Sequence, residues 1–322
     1  MTIGWAIVLF LLGLVMVVCG ADFFIRGVVW LSNVTGASKA VMGATVVAFS
    51  TSAPEFFVSI IATIRGNNDI SIGNVVGSNI CNLGIAFALI AIFRPHAVRE
   101  RLPFWNGIIV VFVTALVMCF AFFGIISILM AVAILIVFVV FTVVQIKFSK
   151  EESKEEAEEE GLKKLPKKQT NGREIAIYTA LMIVGIGGVL WGADIIVNNA
   201  EYLGHRMGIS QRIIGLTVVA IGTSLPEIMT TIIAVIRKEN AMSVGNLIGS
   251  NVFNISFILG IAAIVGGGLK VASNVMYMDL PVALFIVVVA VLPTLIWKKV
   301  FRWQGYSVAL IYIAYIAALC II

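Results

Sequence analysis

The chain has 322 residues, of which 61% are hydrophobic and 12% charged, with a mean hydropathy of +1.08 and a formal net charge of +5. That much apolar surface exceeds what a soluble core of this length can hide, which excludes an ordinary soluble protein and predicts an integral membrane one. A nucleic-acid partner is not needed to explain the basic excess, because the excess follows membrane topology.

Crossing about 30 Å of hydrocarbon takes about 20 apolar residues. In chain order the candidate spans cover residues 3–24, 40–64, 71–93, 104–123, 125–147, 174–197, 212–236, 243–265, 276–296 and 303–322, with 104–147 one long run broken mainly at Gly124. The first span has no basic n-region and no cleavage site, so it reads as a retained helix. Of the 22 Lys and Arg residues, 18 fall in the connections from odd to even spans. The positive-inside rule then predicts a multi-pass cell-membrane protein with those connections cytoplasmic and both termini extracellular. The four cysteines, Cys19, Cys81, Cys119 and Cys320, lie in apolar spans without metal-type spacing and read as small hydrophobes.

Between spans five and six lies the longest polar segment, 148–173, acidic (KEESKEEAEEE) and then basic (GLKKLPKK). It lacks the spaced oxygen ligands and turn glycine of a calcium loop, so it reads as a solvated cytoplasmic linker. It divides the chain into two halves of five spans, residues 1–147 and 174–322. Residues 43–84 recur without a gap as 215–256, with 22 of 42 positions identical, and Gly20-Ala21-Asp22 recurs in the same register as Gly192-Ala193-Asp194. Because five is odd, the second copy must enter the membrane in the opposite sense. The expected fold is therefore an all-α membrane protein of ten transmembrane helices in two inverted-topology repeats, with broken helices 2 and 7. Inverted repeats of this kind build secondary transporters with a site at the repeat interface.

Each copy places a glutamate, Glu55 or Glu227, in apolar surroundings, where an ionisable group is a functional candidate. Pro54 and Pro226 interrupt the helical hydrogen-bond ladder and release carbonyls near 48–51 and 220–223. Beside those carbonyls lie the hydroxyls of Thr51, Ser52, Thr223 and Ser224. Carboxylate, carbonyl and hydroxyl make an all-oxygen environment suited to a hard cation such as Ca2+ or Na+, and no His or Cys joins it. Asn74, Ser78 and Asn82 follow at i, i+4 and i+8 as one polar stripe, repeated by Asn246, Ser250 and Asn254. The small-xxx-small pairs Gly73/Gly77 and Gly245/Gly249 let each stripe approach a neighbouring helix.

At these residues, GTSLPE (222–227) with GNLIGSNVFN (245–254) and STSAPE (50–55) with GNVVGSNICN (73–82), the chain resembles the cation/calcium exchanger superfamily, and within it the sodium/calcium exchanger family. The resemblance covers the ten-span plan and the central loop as well. It implies a midplane site formed by spans two, three, seven and eight. Glu55, Glu227 and the carbonyls of Thr51 and Thr223 would bind Ca2+. Ala48, Thr51, Ser52, Ser78, Ala220, Thr223, Ser224 and Ser250, with the two glutamates, would supply Na+ sites, and Asn82 and Asn254 would border the centre. It also implies that spans one and six slide across a rigid bundle. Ca2+ and Na+ are then substrates, with no cofactor, no enzymatic activity and no obligate protein partner. Two departures stand out: Ser50 replaces a family glycine, and Asn254 stands where potassium-dependent relatives carry aspartate, which argues against K+ co-transport.

Rival expectations are a Ca2+/H+ antiporter using the same glutamates, a passive cation channel, and an intramembrane protease with Asp22 and Asp194 as a dyad. The serine and threonine shell favours Na+ over protons alone. For Asp22 and Asp194, a role beside a gate and a structural role are equally open.

Overall fold

The computed structural model describes residues 2–35, 52–95, 101–160, 171–237 and 240–321. Helix α1 covers Ile3–Thr35, and α2 covers Ala53–Ile64. Helix α3 (Asn68–Cys81) continues through a π-helical segment, Asn82–Phe87, into Ala88–Phe93. Then come α4 (Arg101–Ala121), α5 (Ile128–Glu160), α6 (Gly172–Met207), α7 (Gln211–Thr223) and α8 (Leu225–Arg237). Helix α9 (Asn240–Val252) continues through a second π-helical segment, Phe253–Ile258, into Leu259–Val265, and α10 (Val275–Trp297) and α11 (Arg302–Ile321) close the chain. Two short strands, β1 (Ile125–Ile126) and β2 (Leu269–Lys270), pair antiparallel and tie the α4–α5 turn to the α9–α10 turn.

The chain is an all-α membrane protein. Among the described residues seven helices are long and apolar enough to cross a bilayer, and Ala53–Ile64, Trp105–Ala121 and Gln211–Thr223 are shorter apolar helices. Large apolar side chains on their outer faces, such as Ile183, Trp191, Ile136 and Leu310, are exposed, as lipid-facing side chains are.

Three helices outrun the expected spans. Helices α1 and α6 extend about three turns past positions 24 and 197, because no proline or turn glycine intervenes before Thr35 and Gly208. Gly208 ends α6 in the left-handed conformation at φ 67°, a common helix stop. Helix α5 carries on to Glu160, so the first part of the expected linker is helical. The break expected at Gly124 is present as a turn, with φ 73°.

Helices α1 and α6 lie antiparallel and unusually close. Gly13 faces Gly192, Gly20 faces Gly185, and Gly27 faces Tyr178, a seven-residue step on both helices. A Cβ on Gly20 would sit 2.8 Å from the Gly185 carbonyl oxygen, and one on Gly192 would sit 2.8 Å from the Gly13 carbonyl oxygen. Backbone packs on backbone here, as small residues allow in lipid. Gly20→Val is expected to push the pair apart and cost about 1–3 kcal/mol, seen as a lower melting temperature in detergent. Gly187→Val, where a side chain meets nothing within 4 Å, should leave it unchanged.

The apolar interior falls into two clusters. Among the described residues the larger joins α3, α4, α5, α9, α10 and α11, with Leu216 of α7 and Ile228 of α8, and contains no buried residue of α1 or α6. The smaller joins α1 and α6 to α2 and α7, through residues such as Phe10, Val17, Val58, Ile196 and Val219. The α1–α6 pair is thus packed on one flank of a larger body.

Candidate ion-binding site

Two helix starts build the centre. Ser52 caps α2, Pro54 occupies its first turn and Glu55 follows it; Ser224 precedes α8, with Pro226 and Glu227 in the first turn. Proline fits a first turn because its missing N–H would have no intrahelical partner there. The break between α7 and α8 falls at Ser224, with φ −81° and ψ 2°. Each glutamate therefore sits at the positive end of a helix, where a carboxylate is favoured.

The two starts meet. Ser224 Oγ donates to Glu55 Oε1 at 2.9 Å, and Ser52 Oγ donates to Glu227 Oε1 at 3.2 Å. Each carboxylate is thus held by the serine 172 positions from its own neighbour, and all four residues are buried. Asn74 on α3 links the halves further. Its Oδ1 accepts from the Thr223 hydroxyl at 3.0 Å, while its Nδ2 donates to the Glu55 carbonyl at 3.2 Å and to Ser59 Oγ at 2.9 Å. Below it Thr63 donates to Ser71 Oγ at 2.8 Å, so a polar ladder joins α2 to α3.

Helices α3 and α9 cross through asparagines that the spacing argument passed over. Asn79 Nδ2 donates to the Asn251 carbonyl at 3.0 Å, and Asn251 Nδ2 returns the bond to the Asn79 carbonyl at 3.4 Å. Asn82 Nδ2 donates to Asn251 Oδ1 at 3.1 Å. Asn79 and Asn251 are themselves 172 apart, so their identity in both copies was the available signal. The π-helical segments that begin at Asn82 and Phe253 rotate the following residues on each helix, a feature frequent at functional sites.

Several polar atoms here lack a partner. Glu55 Oε2, Ser78 Oγ, Asn82 Oδ1 and both amide atoms of Asn254 are buried with no hydrogen bond among the described residues. No basic side chain pairs with Glu55 among those residues. Buried polar groups are nearly always satisfied, so such a concentration of orphaned oxygens points to a ligand that supplies positive charge. The hydroxyl, amide and carboxylate oxygens gathered here are donors of the kind a hard cation takes.

Of the expected site residues, Glu55, Glu227, Ser52, Ser224, Thr223, Ala220, Ser78, Ser250, Asn82 and Asn254 are all buried. The Ala220 carbonyl already accepts from Ser224 N–H at 3.0 Å and the Thr223 hydroxyl at 3.2 Å. Ala48, Ser50 and Thr51 lie outside the described residues. Asp22 and Asp194 are not at the centre. Asp22 pairs with Arg26 in its own helix at 2.8 Å, whereas Asp194 pairs with Arg65 at the end of α2. The α1–α6 register places Asp22 opposite Ile183, 11 residues from Asp194 or about 16 Å along the helix, which removes the proposed protease dyad.

A buried, two-carboxylate oxygen site inside an all-helical membrane body defines a membrane protein that handles small cations. The family model for the sodium/calcium exchanger protein matches residues 5–147 and 177–321, so the chain belongs to the sodium/calcium exchanger family, whose members are transporters and not enzymes. It is 35% identical over 317 residues to an uncharacterized membrane protein of Methanocaldococcus jannaschii, covering 96% of each chain. It is 29% identical over 341 residues to the sodium/calcium exchanger MaX1 of Methanosarcina acetivorans, covering 96% of this chain and 97% of that one. A solved structure of the sodium-calcium exchanger NCX_Mj, soaked with 10 mM Na+ and 10 mM Sr2+, superposes with a TM-score of 0.65 at 31% identity, over 98% of this chain and 99% of that one.

Proposed function

We propose that this protein is a Na+/Ca2+ antiporter that works by alternating access and extrudes Ca2+ with the inward Na+ gradient. The carrying observation is the reciprocal pair of hydrogen bonds, Ser224 to Glu55 and Ser52 to Glu227, which gathers two buried carboxylates into one site. Two carboxylates neutralise one Ca2+, and Na+ ions occupy overlapping oxygens in its place. Glu55, Glu227, Thr51 and Thr223 hold Ca2+; Ala48, Thr51, Ser52, Ser78, Ala220, Thr223, Ser224 and Ser250 complete the Na+ positions; Asn82 and Asn254 border the centre. Moving the empty site past the bilayer would carry uncompensated carboxylates with it, so crossing requires a filled site. That requirement couples the two fluxes.

The same reading takes the architecture as ten crossings in two inverted repeats, residues 1–147 and 174–322. The 148–173 linker is cytoplasmic and both termini are outside. Helices α1 and α6, packed on each other and set apart from the larger cluster, are the pair that slides.

Radioactive Ca2+ uptake into proteoliposomes loaded with Na+ and diluted into Na+-free, pH-clamped buffer tests this. Uptake that requires internal Na+ is the expected result. Uptake indifferent to Na+ but driven by an imposed pH gradient would reassign the protein to Ca2+/H+ exchange, and flux without any counter-ion would make it a channel.

A further inference from the structure

The repeat equivalence pairs Asp22 with Asp194 and Arg65 with Arg237, which ends α8. It breaks at several positions, among them the one where Arg26 in the first copy meets Asn198 in the second. Each lies four residues after its aspartate, one turn away on the same helix face. We propose that this difference makes a one-sided latch: Arg65–Asp194 clips the sliding α1–α6 pair to α2 on the face away from the charged linker, while Asp22 is held by Arg26 within α1.

The contacts carry the argument. Asn198 Nδ2 donates to Asp194 Oδ2 at 3.2 Å, but a neutral amide cannot balance the carboxylate. Its charge is met from another helix, by the Arg65 guanidinium, which also donates to Asn198 Oδ1. In the first copy Arg26 Nε donates to Asp22 Oδ2 at 2.8 Å within α1, so that aspartate is neutralised at home. Asn67 Nδ2 donates to Glu201 Oε1 at 3.1 Å, giving the Arg65 turn a second hold on α6. Arg65, Asn67 and Glu201 line a cavity of about 550 Å³ open to solvent, bordered also by Asp69, His205 and Lys270.

The strength suits a latch. Side-chain exposures of 29% for Arg65 and 42% for Asp194 place the pair in partial contact with water, where such a bond biases an equilibrium by up to about fivefold and still breaks in each cycle. A buried pair would lock the transporter instead.

This inference rests on the reading of α1 and α6 as the sliding pair. The test is hydrogen–deuterium exchange of the purified, ion-free protein over residues 194–207, in parallel with Na+-dependent Ca2+ flux. Asp194→Asn and Arg65→Gln should each raise exchange there up to about fivefold, and the swapped pair Arg65→Asp/Asp194→Arg should restore protection. Unchanged exchange in Asp194→Asn, or no recovery in the swapped pair, would overturn the latch. Exchange is read without transport, so loss of the Na+/Ca2+ assignment alone would leave this arm intact. Normal Na+/Ca2+ flux with unaltered exchange would refute the latch alone.

Discussion

Glu55→Gln and Glu227→Gln are each expected to lower Na+-dependent Ca2+ flux by about 100-fold or more, to similar extents, while leaving the protein at least as stable as before. Glutamine keeps the length, one oxygen and the capacity to accept from Ser224 or Ser52. It removes the charge, and affinity for a divalent cation follows the number of charged ligands over several decades. A hundredfold loss corresponds to about 2.7 kcal/mol. The stability half of the prediction follows from burial. Glu55 is fully buried, and its Oε2 has no hydrogen-bond partner among the described residues, so without a cation the ionised side chain opposes folding. The neutral amide removes that burden. Melting in Na+- and Ca2+-free buffer should therefore show equal or higher midpoints for both variants, and added Ca2+ should stabilise the parent but not the variants. A variant that lost flux and stability together would mark the glutamates as structural.

The second large effect lies away from the site. Arg212 at the start of α7 makes two bonds to Asp279 on α10, at 2.9 and 2.8 Å, and Tyr315 on α11 donates to the same carboxylate at 2.9 Å. The arginine is 4% exposed and the aspartate 0%, so neither has water to fall back on. Asp279→Ala leaves a buried guanidinium unpaired and is expected to cost about 3–5 kcal/mol. Tyr315→Phe should cost about 1.5–3 kcal/mol, the worth of a hydrogen bond to a charged group. The double variant Arg212→Met/Asp279→Leu should recover most of the loss, because it removes both charges and keeps the volume. Thermal melting of all three in one detergent decides the matter. The position equivalent to Arg212 in the first copy is Ala40, so this clamp belongs to one half only. It fixes the start of α7, and through α7 the Ser224 break.

Much of this was legible in the chain because a bilayer leaves few choices. Backbone groups in hydrocarbon must be satisfied within a helix, so long apolar runs announce helices, and Gly124 ended a run where it was expected. Duplication did the rest: Glu55, Ser52 and Asn74, matched by Glu227, Ser224 and Asn246, marked a site because polar groups are too costly there to be retained twice without use. Tertiary structure alone decided which copy serves which. That Ser224 rather than Ser52 donates to Glu55, that Asn79 and Asn251 exchange bonds across the centre, and that Arg65 answers Asp194 are pairings more than 100 residues apart. Spacing along one helix reports which side chains share a face, but not which face of another helix meets it. That is set by how closely backbones approach, as at Gly20 and Gly185, and such contact is a property of two surfaces together.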